Sequence, residues 1–287
     1  MPPRKPSLIG AHVFVGGGLT SVGLPYAEKI GAEAVQVFVS NPRGWSLSAG
    51  DPAQDAAFGQ KCRAQNVPVF VHSPYLCNFA SPTDATRDKT AAAVRHSLAR
   101  GRRIGAQGVV VHAGSVVDAT QRDIGVKLVR EQLLPILDDL DAGDPMVLVE
   151  PTAGGGQPIA AKVGDLAPLF DALEQHPRLG VCLDTCHAFA AGHDLAAPGG
   201  VRSTLNALVR AVGRGRLKLV HANDSKDPVG SGRDRHTNIG AGVIGAEPFA
   251  ELFRHPAMRG VPVVVETPGD LDAHRRDLQV LKALRDG

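Results

Sequence analysis

Aromatic side chains are scarce in this chain: one Trp and two Tyr contribute to an aromatic share of only 4%. A stacking platform for single-stranded nucleic acid needs a row of exposed rings and is not expected. Cysteine is sparse as well, and Cys62, Cys77, Cys182 and Cys186 form no CxxC pair. That spacing excludes a disulfide scaffold and a thiolate-rich structural metal site, so reduced thiols are the default. An excess of one charge is also missing, because the formal net charge is only +2, too small to announce nucleic-acid binding by itself. The apolar runs are about four to six residues long, far short of the ~20 that span a bilayer. The N-terminal "MPPRKPSLIG" is basic but lacks the apolar stretch of a secretory signal, and the protein is expected to be cytoplasmic.

What is present is enough for a full core: 43% hydrophobic and 21% charged residues over 287 positions, a length normal for one α/β barrel. Short β-branched runs recur along the chain, as "LIGAHVF", "AVQVFV", "VPVFVH", "GVVVHA", "MVLVEP", "LGVCLDT", "LKLVHAN" and "VPVVVET". Their near-continuous apolar character suits strands buried on both faces of a parallel sheet. Helical segments lie between them. "PTDATRDKTAAAVRHSLARGRRIGA" offers Thr83 or Asp84 as N-cap, and "QRDIGVKLVREQLLPILDDLD" spaces Ile124, Leu128, Leu133, Ile136 and Leu137 along one face. Strands alternating with helices in one composition regime favour a closed (β/α)8 TIM barrel over an open doubly wound sheet. One domain over residues 1–287 is expected, with residues 1–6 as a frayed tail. A dinucleotide fold is not supported: "GGGLTS" lacks the third glycine, and "GAGVIG" (Gly240, Gly242, Gly245) follows no strand.

The strand ends carry the chemistry. His72, His112, Glu150, Asp184, His221 and Glu266 stand at or near the ends of strands three to eight, and in a barrel those ends form one mouth. Each alone would be an ordinary hydrogen-bonded structural group. Convergent acids and imidazoles without a cation would be costly to bury, so together they point to metal. His187 follows in "DTCHAF", and Asp234 and His236 stand in "GRDRH". Their i, i+2 spacing in extended backbone turns both to one side and Arg235 to the other. Cys186, between Asp184 and His187, is expected to face elsewhere and pack.

A catalytic zinc takes about three protein ligands, so this many donors fit three ions with one carboxylate bridging two of them. Ligation by N and O alone fits zinc, with manganese or iron as competitors. Three divalent cations would exceed the four carboxylates Glu150, Asp184, Asp234 and Glu266 by about two charges, which favours an anionic substrate. Paired metals suit in-line attack on a phosphodiester, so phosphoryl hydrolysis is the natural chemistry.

The blocks "VFVSNPRGW", "HSPYLCNFASP", "HAGS", "EPTAGGG", "LDTCHAFAAGHD", "HANDSKDPVGSGRDRH" with "NIGAGVIG", and "ETP" together resemble the endonuclease IV family of apurinic/apyrimidinic endonucleases. The resemblance runs from "IGAHVFVGGG" to "VVVETP". It implies a trinuclear zinc site in a (β/α)8 barrel and a monomer acting on duplex DNA that contains abasic sites. It implies that His72 and His112 hold one zinc, that Glu150 bridges it to a second completed by Asp184, His221 and Glu266, and that His187, Asp234 and His236 hold the third. A hydroxide between the first two zincs would attack the phosphate 5′ to the abasic site, leaving a 3′-hydroxyl and a 5′-deoxyribose phosphate. The family's loops after strands two and three enter the minor groove, which points here to Arg43, Tyr75 and Leu76; packing on the barrel is the alternative for Leu76 and for Trp45. Lys226, Arg233 and Arg235 are phosphate-contact candidates, with a solvated face as the alternative.

Two positions depart from the family pattern. Pro151 replaces a usual Asn after the bridging glutamate, so a hydrogen bond supporting the ligands is expected to be lost or replaced. Ala113 replaces a common Pro, with mild effect. His12 and His193 are not ligands in the family and are expected to be structural. A metal-dependent sugar isomerase or epimerase is the alternative enzyme, although it needs fewer ions and would not require Asp234 and His236. A non-enzymatic sugar-phosphate or DNA-binding barrel would tolerate loss of ligands, and all nine are present.

Overall fold

The computed structural model describes residues 6–287. The expected N-terminal tail falls outside the described residues except for Pro6, which is exposed. The strands β1 (Ile9–His12), β2 (Val35–Val37), β3 (Val69–His72), β4 (Ala106–His112), β5 (Met146–Glu150), β6 (Leu179–Asp184), β7 (Leu217–His221) and β8 (Val263–Val265) close into a barrel. Each pairs in parallel with the next in sequence, and β8 closes the ring against β1. This is the expected (β/α)8 TIM barrel. Among the described residues, no helix is long and apolar enough to cross a membrane.

Alternation along the strands divides the apolar residues into two sets, because successive side chains point to opposite faces. One set, including Val35, Val69, Val109, Val147, Val181 and Val263, packs with helix residues such as Phe58, Leu98, Leu133, Leu205 and Leu281. The other consists of Ala34, Phe70, Val110, Leu148, Cys182, Leu219 and Val264, one from each of seven strand segments and none from a helix; this is the filling of the barrel itself. Where β1 meets this filling it carries Gly10, because a Cβ there would lie 1.6 Å from the Ala34 carbonyl oxygen.

The helices α1 (Leu24–Ile30), α2 (Pro52–Ala64), α3 (Asp84–Ile104), α4 (Arg122–Asp138), α5 (Leu166–Ala172), α6 (Thr185–Ala190), α7 (Gly200–Val212), α8 (Glu247–Arg254) and α9 (Leu271–Asp286) follow the strands. Thr83 occupies the N-cap of α3 without a side-chain capping bond. In α4 the buried face is Gly125, Val129, Leu133, Ile136 and Leu137, whereas Ile124 is 55% exposed. The expected stripe is therefore displaced by one residue in its first two turns, Gly125 and Val129 being buried in place of Ile124 and Leu128; Gly125, whose missing side chain admits Val116 and Ile159, is the residue that meets the neighbouring loops.

The stretch after β7 folds back on itself. Asp224–Ser225 pairs antiparallel with His236–Thr237, with Ser225 opposite His236. The buried Asp224 carboxylate then organises the glycine-rich segment that follows, accepting from the backbone N–H groups of Gly240, Gly242, Ile244 and Gly245. A Cβ at Gly242 would lie 2.4 Å from Asp224 Oδ1. The glycines of "GAGVIG" thus wrap an internal carboxylate; the segment before them, expected to hold no strand, carries the two-residue antiparallel strand His236–Thr237 and not the parallel strand a nucleotide-binding turn follows.

Candidate metal centre

Two residues beyond each filling residue, on the same inward-pointing side of the strand, stand Gln36, His72, His112, Glu150, Asp184, His221 and Glu266. The sheet register aligns them at one level: Gln36 lies beside His12, His112 beside Glu150, and Asp184 beside His221. Glu150 is at the centre and only 1% exposed. Its Oε2 lies 3.3 Å from His72 Nε2 and 3.1 Å from His112 Nε2. Its Oε1 faces the other way, 2.8 Å from His221 Nδ1. His72 Nδ1–H donates to the Ser73 carbonyl at 2.6 Å, leaving Nε2 for the cluster.

A second group surrounds His221 Nδ1, which lies 3.2 Å from Glu266 Oε2 and 3.9 Å from Asp184 Oδ2. Asp184 is the N-cap of α6, and its Oδ1 accepts from the His187 backbone N–H at 2.9 Å. That cap fixes the first turn, so the His187 ring comes to lie with its Nε2 3.2 Å from Asp234 Oδ2. His187 Nδ1–H donates to the Pro151 carbonyl at 3.1 Å. Pro151 therefore supports this ring through its carbonyl oxygen, a function that needs no side-chain amide. Asp234 Oδ1 lies 2.9 Å from His236 Nε2. As the i, i+2 spacing implies, Arg235 turns the other way, its Nε donating to the buried Asp227 at 2.6 Å.

Candidate ligand atoms fall into compact groups: His72, His112 and Glu150; Glu150, Asp184, His221 and Glu266; Asp184, His187 and His236. Asp234 groups with His236 and Cys186. Cys186 is buried as expected but does not face away from the site. Its thiol is pushed up to about 12, chiefly by burial and then by Asp184, so it is a neutral neighbour rather than a thiolate.

The electrostatics fit cations. Burial alone would lower the histidine pKa values, but Asp184, Asp234 and Glu150 outweigh it and carry His187 up to about 10. Asp184, Asp234 and Glu266 do the same for His236, up to about 9. Burial opposes ionisation of Glu150 and Glu266, yet the surrounding rings, His221 foremost, hold both carboxyls well below the usual range. His236 Nε2 is buried without an aligned hydrogen-bond partner. Ring nitrogens and carboxylate oxygens that face one another in compact groups form a donor set that fits divalent cations of the N/O-preferring kind.

Of the residues expected at a DNA interface, Arg43, Tyr75 and Leu76 lie on the loops after β2 and β3, and Lys226, Arg233 and Arg235 lie in the stretch after β7. Tyr75 N–H donates to the Pro42 carbonyl at 2.9 Å, joining the loops after β2 and β3. The first loop is gripped at both ends by the buried Arg100, which donates to the carbonyls of Val39 and Ser48 while paired with Asp55. Arg43 is exposed on that loop and Trp45 packs partly against the core. Tyr75 and Leu76 are 50% and 40% exposed. The Tyr75 ring packs against Phe38 and His72, and its hydroxyl is pushed up to about 12 by burial and then by Glu266, Glu150 and Asp234. Lys226 is exposed, whereas Arg233 and Arg235 both reach Asp227.

Some residues of the site escape a motif search. Asn223 is fully buried, donates to Asp184 Oδ2 at 2.7 Å and accepts from the Glu266 N–H at 2.8 Å. Its signal was its place two residues after His221, on the same side of the chain. His12, expected to be structural, sits 3.1 Å from Glu266 Oε1 at the edge of the cluster. His193 is structural as expected, accepting from the Val163 N–H. Gln36 bridges His221 and Glu266, and the visible signal was a lone amide inside the apolar run "AVQVFV".

Comparison with known proteins places the barrel in a family. Residues 24–284 match the family model of a xylose isomerase-like TIM barrel. The probable endonuclease 4 of Streptomyces avermitilis is 55% identical, the alignment covering 100% of this chain and 94% of the relative. That of Streptomyces coelicolor is 56% identical, with 99% and 97% covered. The crystal structure of endonuclease IV from Thermus thermophilus superposes with a TM-score of 0.85 at 33% identity, covering 99% of both chains.

Proposed function

The chain belongs to the endonuclease IV family, and on that premise we propose that it hydrolyses the phosphodiester 5′ to an abasic site in duplex DNA, leaving a 3′-hydroxyl and a 5′-deoxyribose phosphate. The observation that carries this reading is Glu150, whose two oxygens face separate histidine groups at the centre of the mouth. A carboxylate so disposed suits a bridge between two cations. His72 and His112 would hold one zinc with Glu150; Asp184, His221 and Glu266 the second; His187, Asp234 and His236 the third. Bound divalent cations supply Lewis acidity and a lowered pKa for water at such a site.

The chain's own residues supply the rest. Pro151, Ser73 and Asn223 orient His187, His72 and Asp184 through the bonds described above, so the ligand atoms are held before any cation arrives. Asp227 draws Arg235 away from the mouth and leaves Asp234 and His236 directed into it. Arg43 beside Tyr75 and Leu76 makes a cation next to an apolar edge, a combination suited to opening a duplex from the minor groove. Lys226, Arg233 and Arg235 would line the path of the backbone, the two arginines with their charge partly offset by Asp227.

The test is incubation of the purified protein with a duplex carrying one abasic analogue, with and without a chelator, alongside elemental analysis. We expect a single cut 5′ to the analogue, lost on chelation, and about three zincs per chain. An intact duplex at full zinc occupancy would reject the assignment. Aldose–ketose interconversion without cutting would favour the sugar isomerase alternative.

A further inference from the structure

Gln36 is buried at 0% exposure in a strand that is otherwise apolar, and its side-chain amide bridges the candidate ligands His221 and Glu266. Its orientation is set by chemistry. Glu266 Oε1, 2.7 Å from Gln36 Nε2, can only accept while ionised, so the NH2 end must face it. The carbonyl end then lies 2.8 Å from His221 Nε2, and this contact is a hydrogen bond only if that nitrogen carries the proton. His221 Nδ1 is left with its lone pair among Glu150 Oε1, Glu266 Oε2 and Asp184 Oδ2 at 2.8, 3.2 and 3.9 Å. A nitrogen ringed by carboxylate oxygens needs either a proton or a metal ion to face them, and a metal ion takes the lone pair once the proton is displaced. Gln36 Nε2 also lies 2.9 Å from His12 Nδ1, which is itself 3.1 Å from Glu266 Oε1, so the two side chains meet at the same carboxylate oxygen.

We infer that Gln36 is a positioning residue for the second metal group, fixing His221 as its Nε2–H tautomer and tethering Glu266 so that both present their free donors to one cation. This rests on the metal assignment proposed above. A residue that merely fills space could be replaced by an apolar side chain of similar size without touching the imidazole proton. One that sets the tautomer cannot, because the Nε2–H would lose its only acceptor in the bridge.

The experiment compares wild type, Gln36→Met and Gln36→Glu with zinc alone, before any DNA is added. Zinc affinity is read by chelator competition, and the His221 ring protonation by 15N-resolved NMR of the zinc-loaded protein. In Gln36→Met one zinc equivalent should bind roughly 10–100-fold more weakly, the others unchanged, with the His221 Nε2–H signal lost. Gln36→Glu keeps an acceptor for His221, so that signal should return. With abasic duplex, kcat of Gln36→Met should fall with the missing zinc and recover in excess zinc, at unchanged KM. Wild-type zinc affinity and an intact His221 signal in Gln36→Met would overturn the inference. Should that variant fail to fold, loss of the signal in Gln36→Glu would overturn it instead. If wild type binds zinc but cuts no abasic duplex, the proposed function fails while the zinc readings still judge Gln36.

Discussion

Two consecutive layers inside one barrel have opposite chemistry. The lower is Phe70, Val110, Leu148, Cys182, Leu219 and Val264; the upper, two residues further along each strand, is His72, His112, Glu150, Asp184, His221 and Glu266. Both are inward-facing and mostly buried, so burial does not distinguish them. The lower layer gains by leaving water. The upper layer loses by it, and is tolerable only because each group meets an opposite partner or a supporting hydrogen bond. Ala34 followed by Gln36 repeats the step on β2 with neutral groups. The barrel walls thus carry one periodic signal whose meaning changes from stability to function over a single i, i+2 step.

Exchanging the demands of the two layers tests this division. The largest effect is expected from Glu150→Gln in the upper layer: loss of charge at the centre should lower kcat on abasic duplex by about 10³-fold and reduce bound zinc, with far-UV circular dichroism unchanged. Zinc content and turnover equal to wild type would remove Glu150 from the centre of the site. Two residues below, Leu148→Ala should cost about 2–5 kcal/mol of unfolding free energy, measured by denaturant titration, while activity per folded molecule stays near wild type. A large loss of turnover with stability intact would show that the layers are not separate.

A third prediction uses pH. In the metal-free protein the acidic neighbours carry His187 to about 10 and His236 to about 9, above the ~6.5 of an unfolded histidine. The stabilisation they contribute is complete below about pH 6.5 and is lost as pH rises through these folded values. A zinc ion held by these rings would have to displace the same protons, so its affinity should rise over the same window. The difference in melting temperature between zinc-loaded and metal-free protein should widen from about pH 6 to about pH 9; a constant difference would mean that protons and cations do not compete there. The smallest effect is expected at the rim. Lys226→Ala should weaken duplex binding evenly across sequences and reduce the slope of log affinity against log salt by about 1. An unchanged slope would show Lys226 to be no more than solvated surface.

Much of this was legible in the residues. Strand runs ending in His, Glu or Asp showed both the barrel and its mouth, because a strand buried on both faces must be apolar until it reaches the site. The motif "GRDRH" showed its facing directions through the period of two, and Asp234, His236 and Arg235 point as that period requires. The start of the α4 stripe is misleading in sequence because Ile124 looks like core and Gly125 does not, while the contact there needs room rather than bulk. Cys186, His12 and the Arg233–Arg235 pair were harder, since their surroundings come from distant segments.

The sequence by itself determined the alternation, the strand count and the set of acids and imidazoles, since these follow from local periodicity and residue chemistry. Only the tertiary structure decided which nitrogen of each ring faces the cluster, that Pro151 supports His187 through its carbonyl, and that Gln36 spans His221 and Glu266. Those relations join residues up to 230 positions apart. Closure of the barrel creates them, because it places strand ends side by side that no local pattern connects.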